Sequence, residues 1–192
     1  MASGEHRIRG SLWLRPSGPA LDRLQEVIRT LTARFGGPWP SPHVSLLSGV
    51  ELSTEGAEAR LAQLASRLQP VTIRLGHLEG RNETFRCFYC VVDRSPELVE
   101  AHRTAHEVFE RAANDPFEPH LSLLYGQIDA PMKERLAREL RGKLPLSFVA
   151  TTLHLVNASA AVPVSRWHTL HEVALRRQRQ RAVPRFHQRL GR

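Results

Sequence analysis

Two eight-residue segments of this 192-residue chain nearly repeat one another: PHVSLLSG at Pro42 to Gly49 and PHLSLLYG at Pro119 to Gly126, identical at six of eight positions. Both are short apolar runs bounded by proline and glycine, the pattern of a strand. A chain that repeats a strand with the same His and Ser at the same spacing points to two related units folded against each other. On a strand, residues i and i+2 share a face. His43 with Ser45, and His120 with Ser122, therefore each present an imidazole beside a hydroxyl, while Val44 and Leu121 face the other way. Taken singly, a His-x-Ser pair is an ordinary strand feature whose hydroxyl satisfies a neighbouring backbone group. His102-Arg103-Thr104, in a predicted helix, is one such unrepeated triplet.

The surrounding sequence supplies a scaffold. Arg7 to Arg15 alternates as a strand until Pro16, Gly18 and Pro19 break it. Leu21, Leu24, Val27, Ile28, Leu31 and Phe35 then recur at helical spacing over Ala20 to Phe35, and Gly36-Gly37-Pro38 stops that helix. A short strand over His43 to Leu47 leads to a second helix, capped by Ser53 or Thr54 and reaching Leu68. Val71 to Leu78 and Thr84 to Val92 read as a hairpin joined through Gly80-Arg81-Asn82. A third helix begins after Ser95-Pro96 and ends by Asn114-Asp115-Pro116. His120 to Tyr125 is a strand, Pro131 opens a fourth helix to Arg141, and Leu146 to Val156 and Trp167 to Leu175 supply two last strands. Helices and antiparallel hairpins mix without strict βαβ repetition, which predicts an α+β domain. No dinucleotide fingerprint, P-loop or G-x-S-x-G elbow is present.

Charge is distributed unevenly. The formal net charge is +8, but seven arginines and no acid fall between Arg176 and Arg192, so residues 1–175 are close to neutral. The basicity belongs to the C-terminal tail. That tail reads either as a solvated terminus or as a contact for RNA phosphates. Two cysteines cannot build a disulfide framework. The sequence contains neither a long apolar span nor a leader-like first segment, so the expectation is a cytoplasmic protein with no membrane association; a monomer is expected, though no residue pattern settles the oligomeric state. Cys87 and Cys90 lie three apart on a strand and so point to opposite faces, which argues against a metal or disulfide there. His102 and His106 are one helical turn apart without a third ligand nearby and read as exposed helix residues. Trp167, His168 and His171 in the last strand carry no chemistry on this pattern.

Two imidazoles and two hydroxyls facing one another across a cleft suit a phosphodiester. Imidazole titrates near 6.5 in its ordinary state, so one neutral ring can activate water while a protonated one donates to the leaving oxygen. The hydroxyls can hold non-bridging oxygens, and hydrogen bonds with imidazolium charge can stabilise the transition state without a metal ion.

These residues resemble the 2H phosphoesterase superfamily, named for two His-x-Ser/Thr motifs. FGGPWPSPHVSLL (Phe35 to Leu47), TFRCFYCVV (Thr84 to Val92), PELVEAH (Pro96 to His102), PHLSLLYG and SLWLRP (Ser11 to Pro16) look like its cyclic phosphodiesterase branch in order and spacing. The resemblance covers roughly residues 8–175 and stops before the tail. It implies an α+β, bilobed (LigT-like) fold: two pseudo-symmetric antiparallel-sheet lobes over 1–175, helices outside, a central cleft between them, and 176–192 as an Arg-rich appendage. It implies metal-independent hydrolysis of ADP-ribose 1″,2″-cyclic phosphate or nucleoside 2′,3′-cyclic phosphates, with no cofactor. Action on 2′,3′-cyclic RNA ends or 2′,5′ linkages, with the tail holding RNA, and a non-catalytic nucleotide-binding module are the alternatives. In family terms His43 and His120 are catalytic, with His120 as base and His43 as acid. Ser45 and Ser122 hold the phosphate, and Trp13, Phe85 and Tyr125 lie near the substrate. Many relatives carry Thr in the first motif where this chain has Ser45. By strict alternation Tyr125 faces away from His120 unless the strand ends or twists before Gly126.

Overall fold

A computed structural model describes residues 7–112, 116–159 and 161–175; the Arg-rich tail lies outside the described residues. The elements run β1 (Arg7–Leu14), α1 (Gly18–Phe35), β2 (Val44–Ser53), α2 (Thr54–Arg67), β3 (Val71–Glu79), β4 (Phe88–Val92), α3 (Pro96–Val108), β5 (His120–Leu124), α4 (Ala130–Glu139), β6 (Ser147–Ala150), β7 (Thr152–Val156) and β8 (Thr169–Ala174). Local chemistry sets the helix starts. Ser53, Ser95 and Asp129 each accept a backbone N–H with the side chain, and prolines occupy the first turns of α1, α3 and α4, where a missing N–H costs nothing.

The eight strands form one curled antiparallel sheet in the order β6-β3-β4-β5-β2-β1-β7-β8. It divides into two four-stranded halves whose inner strands, β5 and β2, carry the two repeated motifs. The halves meet at the pairing Val44↔Leu121, the middle residues of the two His-x-Ser triplets. Both side chains are fully buried, as are Leu46 and Leu123 beside them. Burial of an aliphatic side chain of this size contributes about 1.5–3 kcal/mol, so apolar packing holds the seam together. The helices cross over: α1, which joins β1 to β2, packs against β5, and α3, which joins β4 to β5, packs against β2. The α+β, two-lobed expectation is met.

Several element boundaries differ from the pattern-based reading: β2 runs on past Leu47 to Ser53, and the last strand starts at Thr169, leaving Trp167 outside it. The run Leu146 to Val156 is two strands, because the chain passes from the edge strand β6 in one half to β7 in the other with only Thr151 between them, and alternation along the run hides the change of partner. The stretch from Thr84 is a single 3-10 turn (Thr84–Arg86) before β4 starts at Phe88, so Phe85 lies on a turn. No described helix is long and apolar enough to cross a membrane.

Candidate active site

The register at the seam determines the site. With Val44 opposite Leu121 in an antiparallel pair, one step either way brings His43 beside Ser122 and Ser45 beside His120. Val44 and Leu121 point into the core, so the four polar side chains share the opposite face. All four line a cleft of about 580 Å³ between the halves.

The proline of each motif has a structural role. His43 Nδ1 lies 2.6 Å from the Ser41 carbonyl and His120 Nδ1 lies 3.0 Å from the Glu118 carbonyl, each the carbonyl of the residue before the proline. A carbonyl only accepts, so Nδ1 carries the hydrogen in both rings and Nε2 is left as the titrating atom. Residues before proline favour extended backbone, which fixes that carbonyl in place.

A second shared device follows the serine. In the β1–β2 pairing, Leu12 opposes Leu47 but Trp13 opposes Ser45, so Leu46 is an extra residue. In the β4–β5 pairing, Phe88 opposes Leu124 but Tyr89 opposes Ser122, so Leu123 is the extra residue. A bulge at the same motif position on both strands resets the alternation. Ser48 and Tyr125 thereby join the His and Ser face, and both line the cleft. Strict alternation, which sets Tyr125 on the far face, fails here because it has no way to count a bulge.

The surroundings of the two motifs differ. Trp13 stacks on the His43 ring with centroids 3.5 Å apart and planes within 9°, whereas Tyr89 meets the His120 ring edge-on at 5.2 Å. His43 is 8% exposed, and burial drives its pKa down to about 3, with the charges of His120 and Arg15 adding to the effect. His120 is also lowered, first by burial and then by Arg86 and Arg81, while the Glu118 carbonyl and carboxylate oppose the shift. Both rings are therefore neutral near pH 7 in the free protein. Burial thus disfavours the protonated ring that the ordinary histidine value allows, and a bound anion would oppose that effect.

Ser122 Oγ donates to the Phe85 carbonyl at 2.9 Å and is hydrogen-bonded with Tyr125, whose phenol burial pushes up in pKa. Ser45 makes no hydrogen bond to another described residue. Phe85 and Tyr125 form an aromatic wall at 5.1 Å, which Trp167 completes at 5.6 Å from Phe85 and 6.0 Å from Trp13. The sequence pattern alone gives Trp167 no role. It follows a 3-10 turn (Val164–Arg166) ahead of β8, and its indole N–H donates to the Val162 carbonyl at 2.9 Å. Ser48 is likewise invisible to strict alternation, although it holds the same motif position as Tyr125. His102 is not an exposed helix residue: its ring stacks on Phe117 at 3.8 Å and its Nδ1 donates to the carbonyl of the bulged Leu46 at 2.7 Å. Cys87 and Cys90 are free and buried. Among the described residues no three His, Cys, Asp or Glu side chains group as metal ligands.

The family model of the 2′-5′ RNA ligase superfamily matches residues 22–161. The chain is 25% identical over 124 residues to a cyclic phosphodiesterase of Arabidopsis thaliana, covering 65% of this chain and 68% of that protein. Its fold is similar to the apo structure of LigT from E. coli, with a TM-score of 0.59 and 19% identity over 90% of this chain and 99% of that one. LigT has also been solved with 3′-AMP, a structure similar to this one at a TM-score of 0.56 and 22% identity, covering 90% of this chain and 100% of LigT.

Proposed function

Because the chain belongs to the 2′-5′ RNA ligase superfamily, we propose that it hydrolyses a cyclic phosphate on a ribose to a phosphomonoester, using His43 and His120 as an acid–base pair. ADP-ribose 1″,2″-cyclic phosphate and nucleoside 2′,3′-cyclic phosphates are the substrates in view. The observation that carries the reading is the antiparallel pairing of Val44 with Leu121, which turns two imidazoles and two hydroxyls onto one face of the cleft.

In this scheme His120, the more open of the two rings, takes a proton from water as its oxygen attacks phosphorus. The bond from phosphorus to one ribose oxygen breaks, and His43 Nε2 gives its proton to that oxygen. One water is consumed and one phosphomonoester forms. His43 must hold a proton at that moment. The bound phosphate anion supplies an opposite charge that offsets burial, and the Trp13 face stabilises the imidazolium by about 0.5–1 kcal/mol. Ser45 and Ser122 donate to the non-bridging oxygens, Ser122 by turning from the Phe85 carbonyl. One face of Trp13 is taken by His43, so Phe85 and Trp167 are better placed to stack on a base.

The test is incubation in excess EDTA with ADP-ribose 1″,2″-cyclic phosphate and each nucleoside 2′,3′-cyclic phosphate, with products resolved by chromatography beside His43→Ala and His120→Ala. Turnover that both substitutions abolish supports the reading and identifies the leaving oxygen. No turnover on any of them, with salt-sensitive binding of RNA ends instead, would move the function to an RNA substrate.

A further inference from the structure

The turns after α1 and α3 each lie against one of the two octapeptides, and they differ in charge. The turn after α1 runs through Gly36 and Gly37, both at positive φ, and a Cβ on Gly37 would fall 2.4 Å from the Tyr125 carbonyl oxygen. The turn after α3 takes the matching place over the first motif. There the Glu110 N–H bonds to the Glu107 carbonyl at 3.2 Å and the Arg111 N–H reaches the His106 carbonyl at 2.9 Å, a Schellman turn. Its left-handed position, usually glycine, holds Glu110 at φ 52°. Arg60 secures that strained residue, sitting 3.1 Å from the Glu110 carboxylate and donating to the Val108 carbonyl at 2.6 Å.

The strain sends Arg111 across to the first motif, where its guanidinium donates to the Gly49 carbonyl at 2.5 Å. Gly49 sits at φ 66°, and a Cβ there would come 3.6 Å from the guanidinium. The other two arginines lining the cleft are neutralised, Arg9 by Glu51 and Arg86 by Glu118. Arg111 has no carboxylate partner among the described residues. A guanidinium that lines the cleft, bonds one backbone carbonyl and has no carboxylate partner among the described residues fits a phosphoryl group. Gly49 lies four residues beyond Ser45, roughly 10 Å along the bulged strand, which sets Arg111 apart from a phosphate held by the serines.

We propose that Arg111 binds a second phosphoryl group of the substrate, so that the cleft selects ribose cyclic phosphates bearing a further phosphate over bare nucleoside cyclic phosphates. The further phosphate is a 5′-phosphate, a pyrophosphate or an RNA backbone. The inference rests on the cyclic-phosphate reading above.

Wild type, Arg111→Ala and Arg111→Lys are compared on a nucleoside 2′,3′-cyclic phosphate, the same compound with a 5′-phosphate, ADP-ribose 1″,2″-cyclic phosphate and a short RNA with a 2′,3′-cyclic end. The expected wild-type preference for the 5′-phosphorylated member of the matched pair is about 10- to 100-fold in kcat/KM, collapsing towards unity in Arg111→Ala through KM. Arg111→Lys keeps the charge but not the fork and recovers part of the preference. The last two substrates show whether pyrophosphate or backbone phosphate is favoured. A wild-type ratio near one, or a ratio that Arg111→Ala leaves intact, overturns the inference. If wild type turns over none of these substrates, the cyclic-phosphate reading fails on its own. Calorimetry with a nucleoside 2′,5′-bisphosphate against the 2′-monophosphate then decides Arg111: a preference lost in Arg111→Ala supports it, and equal affinities overturn it.

Discussion

His43 and His120 occupy the same place on paired strands, yet one ring lies face-on beneath Trp13 and the other meets Tyr89 edge-on, with Glu118 close by. The backbone devices around them match: a proline before each histidine, an Nδ1 bond to the carbonyl two residues back, a bulge one residue past each serine. The side chains packed on those devices do not match. Two copies of one strand can thus repeat a backbone geometry while their neighbours give the two rings different surroundings, one closed and one open.

The largest effects should come from removing what the copies share. His43→Ala and His120→Ala should each lower kcat/KM by about 10²–10⁴, and the double variant should be little worse than either, because the rings act as one unit. A single indispensable histidine would break the comparison. The serines should separate next. Ser45→Ala should cost about ten- to a hundredfold in kcat/KM with unchanged unfolding, whereas Ser122→Ala should also lose about 0.5–1.5 kcal/mol of stability with the hydrogen bond to the Phe85 carbonyl. Thermal unfolding of the two variants side by side checks this.

Stability should vary with pH in a way that reports on His43. Its folded pKa lies below the unfolded one, so the unfolded chain binds the extra proton. The contribution is fully present above about pH 6.5 and falls by about 1.4 kcal/mol per pH unit on the way down to its folded value near 3. Urea denaturation of His43→Leu from pH 7 to pH 4 should show a shallower decline than wild type; an equal slope would mean that the ring is not held neutral. The smallest effects are those of the aromatic rings packed on the histidines. Trp13→Leu should reduce kcat by about threefold, from the loss of about 0.5–1 kcal/mol of cation–π stabilisation, and Tyr89→Leu should reduce it less.

The repeated octapeptide made the four polar residues and the α+β character legible, because strand alternation and a matched spacing are local signals. What stayed hidden depended on partners. The bulges at Leu46 and Leu123 exist only against β1 and β4, so neither Ser48 nor Tyr125 could be placed on the cleft face by counting. Trp167 reaches the cleft from a turn that alternation mistakes for strand. The division of Leu146 to Val156 depends on which strand each half pairs with, which nothing in its own residues records. His102 looked exposed because a helix does not disclose that the Leu46 carbonyl awaits it. The depressed histidine values likewise come from burial, a property of the assembled cleft.

If two imidazoles act together as acid and base, the pH dependence of hydrolysis of a ribose cyclic phosphate must register both. Both free-protein pKa values lie below the ordinary histidine value, so kcat/KM should trace a bell centred below pH 6.5. The kcat bell should lie at higher pH, since the bound phosphate anion favours protonation. A profile flat between pH 5 and 9 in both parameters would contradict the account.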